Sequence, residues 1–115
     1  MPPGGSGATG EDGMAEAKTR TDIINALEDH IADNGGKYKQ WCVGVTTSPR
    51  DALYATHKVR EGKDAAISRR APDAQQAREV VKYFTQTQGA AQGRQDDGDG
   101  SVHVFAYRIR RHTKP

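Results

Sequence analysis

Residues 41–50 read WCVGVTTSPR, and the fold turns on how this stretch is parsed. Trp41, Val43 and Val45 alternate with Cys42, Gly44 and Thr46, a period of two that predicts a strand with one bulky face and one small face. Ser48-Pro49-Arg50-Asp51 then has the form of a helix start. Ser48 stands at the cap, Pro49 at the first helical position where an amide is not needed, and Asp51 beside the free amides. A strand delivered straight into a capped helix is a corner on which active sites are commonly built.

Upstream, Ile23, Ile24, Leu27 and Ile31 recur at helical spacing and stop at Asn34-Gly35-Gly36, which predicts an amphipathic helix with a glycine exit. Downstream, Leu53 and His57 lie one turn apart on the short helix after Pro49. AAISRRA (65–71) predicts a second strand. Asp73 with Gln76 opens a longer helix whose stripe is Ala77, Val80, Val81 and Phe84. Gly89 to Gly100 reads as a polar loop, and SVHVFAYRIR (101–110) as a strand apolar on both faces, hence central. The order predicts an α+β or α/β domain around a short sheet.

The sequence divides into an expected disordered leader at 1–18, rich in Gly and Pro, a single domain at 19–111 and a basic tail at 112–115. With 115 residues, 34% hydrophobic and 28% charged, the chain supports one modest core and lacks the charge extremity of a wholly disordered one. A net charge of +2 selects no partner, but the distribution is uneven. Acids gather before Asp33 and in QDDGDG (95–100). Lys58, Arg60, Arg69, Arg70, Lys82 and RIRRHTKP (108–115) are basic, so a basic surface is expected.

Cys42 is the single cysteine, which excludes an intramolecular disulfide and a Cys-rich zinc site. QDDGDGS lacks the downstream glutamate of a calcium loop, so no metal is assigned to it. No apolar run approaches the roughly 18 residues of a membrane span, and a cytoplasmic location is expected.

Strand WCVGVTT, cap SP, a helix bearing His57, strand AAISRRA, a helix opening AREVVKYF, a Gly/Asp loop and strand VHVFAYR together resemble the GIY-YIG nuclease-like superfamily, its small bacterial branch above all. The resemblance covers roughly 41–110 and implies a small α+β fold with a three-stranded, mostly antiparallel sheet flanked by helices. It also implies a site in which a tyrosine, an arginine, often a histidine, and a metal-holding glutamate act on a phosphodiester. Carried over, the tyrosine position falls at Cys42 in Cys42-Val43-Gly44, the arginine at Ala52, the histidine at His57 and the glutamate at Val81. The chemical groups are largely replaced, and Arg50 and Glu79 each stand two positions, about 200° of helix, from where they are needed.

The resemblance therefore implies a degenerate nuclease fold without confident catalytic residues, no cofactor, and a basic groove of Arg69, Arg70, Lys82, Arg108, Arg110 and Arg111 binding DNA or RNA. A protein-interaction or regulatory domain using the N-terminal helix is the second reading. The third is a divergent endonuclease, requiring magnesium, in which Glu79 or the acids at 96–99 replace the lost ligand.

Overall fold

The computed structural model describes residues 18–115. The expected leader thus lies outside the described residues, apart from Lys18, whose amide donates to the Arg70 carbonyl. Helix α1 (Arg20–Asp33) is capped by the Thr19 hydroxyl, which accepts from the Asp22 amide, and buries Ile23, Leu27 and Ile31. Its exit uses Gly35 and Gly36 at φ 116° and 76°, and the Gly36 amide closes on the Ile31 carbonyl.

A short helical turn at Tyr38–Gln40 then leads into strand β1 (Trp41–Thr46). The chain from Pro49 then winds into a short, wide helical turn at Asp51–Thr56, in which the His57 amide reaches back five residues to Ala52. Lys58, at φ 61°, breaks that turn in the left-handed conformation that usually belongs to glycine. Next come β2 (Ala66–Arg70) and α2 (Ala74–Lys82), whose Asp73 cap accepts from the Gln76 amide at 2.8 Å. A wide turn at Tyr83–Thr87 leads to β3 (Ala91–Gln95), and β4 (His103–Arg108) completes the sheet.

The sheet order is β2-β4-β1-β3. Strand β4 pairs antiparallel with β1 and β2, and β3 pairs parallel with β1. The α+β class holds, but the sheet is four-stranded and mixed, which corrects the three-stranded, mostly antiparallel expectation. The missing strand, β3, lies inside the segment 89–100 read as loop. AQGRQ has no apolar period, because an edge strand is held by backbone pairing to one neighbour and needs no buried side-chain row.

The two faces of β1 separate as their alternation predicts. Trp41, Val43 and Val45 join Ile67, Val104 and Ala106 in the larger core beneath α1 and α2. On the second face Cys42 packs with Phe105, Tyr107, Ala52, Leu53 and Val59. Registers fix the ends: Trp41 lies opposite Arg108, and Thr46 opposite His103, which in turn faces Arg70. One end of the sheet therefore carries the start of β1 and the finish of β4; the other carries Thr46, His103 and Arg70. Among the described residues no helix is long and apolar enough to cross a membrane.

Candidate functional site

The second face of the sheet gathers the polar groups of the strand-to-helix corner. His57, delivered by the wide turn, is only 3% exposed and lies against Phe105 and Tyr107, with ring centroids 5.4 and 5.1 Å away. Its Nε2 accepts from the Arg94 amide at 3.0 Å, which places the ring proton on Nδ1. Nδ1–H donates to the Lys114 carbonyl at 2.5 Å, and Tyr107 Oη stands 3.0 Å from the same nitrogen.

Tyr107 and Cys42, both fully buried, are hydrogen-bonded neighbours. Burial pushes the Cys42 thiol up, with the bond to Tyr107 acting the other way. Burial, and then Cys42, hold the Tyr107 phenol above its ordinary range. Neither group is available as an anion near neutral pH. Gly93 closes the space between them and the imidazole: a Cβ there would stand 2.8 Å from Cys42 Sγ and 3.2 Å from His57 Nε2.

Beside this trio a bulge redirects β3. Val43 pairs with Gln92 and Val45 with Gln95, so β3 spends one more residue than β1 across Gly44. Gly44 is demanded by the approach, since a Cβ there would meet the Arg94 carbonyl oxygen at 2.4 Å and the Phe105 ring at 2.5 Å. The bulge carries Arg94 into a clamp. Its Nε donates to Asp96 Oδ1 at 2.7 Å, and its Nη1 donates to Asp51 Oδ2 at 2.8 Å and Thr56 Oγ1 at 3.0 Å.

The other Asp96 oxygen accepts from the Thr46 hydroxyl at 2.7 Å and the Thr47 amide at 3.1 Å, while Thr46 Oγ1 accepts from the Ser48 amide at 3.0 Å. Arg94 first, and then Thr46 and Thr47, hold the Asp96 carboxyl below the usual range, and Asp96 and Asp51 raise Arg94 in return. The threonines of WCVGVTTSPR thus fasten the Asp96 carboxylate, just after β3, to the corner, and the Ser48 amide holds Thr46 in place.

The carried-over positions do not converge on one site. Cys42, Gly44, Ala52 and His57 share the second face, whereas Val81 is buried with α1 and α2 on the first, so the sheet stands between them. Glu79 pairs with Arg20. Arg50 forms a two-point bond with Glu61 at 2.9 and 3.0 Å. Among the described residues no group of three or more His, Cys, Asp or Glu is placed to hold a metal ion.

The basic set divides as well. Arg69 and Arg70 face Val104 and His103 at the Thr46 end, while Arg108 faces Trp41 at the other, with Arg110 and Arg111 beyond it. Helix α2 starts next to Arg70 and the chain returns through Ala91 beside Cys42, so Lys82 in its last turn is carried toward the Trp41 end. There the chain adds Lys37 and Lys39, which the sequence reading did not select. Their signal was position: residues just before β1 meet residues just after its antiparallel partner, as the bond from the Ile109 amide to the Gln40 carbonyl shows. Arg94 was missed with its strand.

No protein-family model, curated protein or solved structure matches the chain.

Proposed function

We propose that this chain is a non-catalytic nucleic-acid-binding module that uses the Trp41 end of its sheet. The observation that carries the reading is the charge gathered there. Lys37 and Lys39 precede β1, Arg108, Arg110, Arg111 and Lys114 follow from β4, and Lys58 adjoins His57, whose carbonyl accepts from the Lys114 amide. Of the acids near that end, Glu61 is engaged by Arg50, Asp64 by His112 and Glu28 by the Tyr83 hydroxyl, while Asp29 and Asp33 stand in the last turns of α1. Asp51, Asp96, Asp97 and Asp99 lie toward the opposite end, on the corner after β1 and the loop after β3.

A net charge of +2 gives little attraction for a phosphate backbone, but an excess of cations over acids at one end gives that end a positive local field. Tyr38, half-buried between Lys37 and Lys39, adds an aromatic edge among the cations. The non-catalytic part of the reading is supported by the second face, where the ring nitrogens of His57 have partners and Gly93 fills the gap beside Cys42.

The test is a titration of labelled single-stranded and duplex DNA and RNA at low and high salt, with and without magnesium, followed by electrophoresis of the products. The reading expects binding that weakens steeply with salt and leaves the strands intact. Cleavage sensitive to magnesium sinks it in favour of a nuclease; absence of binding at low salt turns the search to protein partners.

A further inference from the structure

The C-terminal residues form a closed turn pinned at two points. Thr113, only 5% exposed, closes it: its hydroxyl donates to the Arg110 carbonyl at 2.8 Å and accepts from the Arg110 amide at 2.9 Å. His112 Nε2 meets Asp64 Oδ2 at 2.5 Å. Lys114 is held by His57 twice, its amide donating to the His57 carbonyl at 2.8 Å and its carbonyl accepting from His57 Nδ1 at 2.5 Å. The His57 ring is itself fixed from behind by the Arg94 amide on Nε2. The side chains of Arg110, Arg111 and Lys114 are left exposed.

From this geometry we infer that His57 is a positioning residue for polyanion binding: it clasps the terminal turn so that Arg110, Arg111 and Lys114 are presented as a fixed array. The inference rests on the nucleic-acid reading above and adds how the surface is built. A loose cationic tail also attracts phosphates, but it must be ordered on binding, and each residue ordered costs free energy that a pinned turn has already met in folding. The buried imidazole thereby acts on the exposed cations without touching the ligand.

The experiment compares wild type, His57→Phe, His57→Asn and Thr113→Val, none of which changes the Lys and Arg content. Asn Nδ2 occupies nearly the place of His Nδ1 and can donate to the Lys114 carbonyl, so His57→Asn keeps the clasp. His57→Phe removes both ring bonds. Thr113→Val removes the two hydroxyl bonds of the turn, leaving it held by the backbone bond from the residue 113 amide to the Arg110 carbonyl alone, without altering the core around His57. Affinity for a labelled single-stranded oligothymidylate is measured across a salt series, and exchange of the Lys114 amide is followed by NMR.

The expected result is faster exchange and an affinity loss of about tenfold in His57→Phe and Thr113→Val, with the salt slope unchanged, and near wild-type behaviour in His57→Asn. If His57→Phe fails to fold, Thr113→Val decides. Faster exchange with unchanged affinity overturns the positioning role alone. No binding by the wild type overturns both this role and the reading beneath it.

Discussion

At Gly44 the backbone of β3 approaches β1 too closely for any side chain. A methyl group there falls 2.4 Å from the Arg94 carbonyl oxygen, a backbone atom that cannot turn aside. Gly44→Ala is expected to destabilise the domain by about 1–3 kcal/mol or more, read as a lower urea midpoint. Gly100→Ala, whose Cβ meets only Thr47 Cγ2 at 3.8 Å, supplies the control. The resemblance made Gly44 a motif position; the steric reason was hidden because it depends on a strand the sequence did not reveal. Titration is also a residue-scale matter. Burial, and then Arg69, lower His30 against the opposing pull of Asp33, and burial, then Arg70, lower His103. The unfolded chain takes up these protons first, so stability should fall as pH drops below the ordinary imidazole value of 6.5. Asp96 has the opposite charge but the same slope: its lowered carboxyl stabilises the fold above the ordinary 3.8, and that contribution disappears as pH falls through the folded value. Urea midpoints across acid pH should therefore decline in two stages, with His30→Gln shrinking the first and Asp96→Asn the second.

At the scale of elements, what was legible followed the strength of the periodic signal. Helix α2 was visible from its Asp73 cap and its stripe of Ala77, Val80, Val81 and Phe84, all buried. The alternation in β1 assigned both faces, and β4, apolar on both, is indeed an inner strand. Strand β3 was not legible, because its sequence records side chains and its strand character comes from pairing with β1 and from a bulge. The carried-over positions lie on both faces of the sheet for a related reason. Helical spacing marked Val81 as core but could not say which face of the sheet that core occupied. The bulge also makes a prediction. Arg94 joins β3 to Asp51, Thr56 and Asp96, so Arg94→Gln leaves Asp96 with its threonine partners but without its cation. Its side chain is 26% exposed, and the expected cost is about 1–3 kcal/mol. Hydrogen exchange should rise along Ala91–Gln95 while α1, which packs on the other face, keeps its protection. Uniform loosening of both would show that the clamp is not local to β3.

For the whole molecule the decisive property is the direction in which the strands run. Antiparallel pairing of β1 with β4 brings Lys37 and Lys39 beside Arg108 to Lys114, although some seventy positions separate them in the sequence; a charge count along the chain sees neither the gathering nor the division of Arg69 and Arg70 from Arg108. This arrangement fixes the last prediction. If the Trp41 end receives the phosphates, Lys37→Gln, Lys39→Gln and Arg111→Gln combined remove up to three cations from the contact, and the slope of log affinity against log salt should become shallower by about 2 for a single strand. Arg69→Gln with Arg70→Gln removes charge from the other end, beside β4 residues Val104 and His103, and should leave the slope nearly unchanged. The pairing of variants matters because both sets lower net charge. A general electrostatic attraction responds to either, whereas a contact surface responds to one. Equal loss of slope from the two sets, measured by anisotropy on the same oligonucleotide, would count against a localised surface; loss confined to Arg69 and Arg70 would move the contact to the Thr46 end, where the basic residues meet the acidic loop.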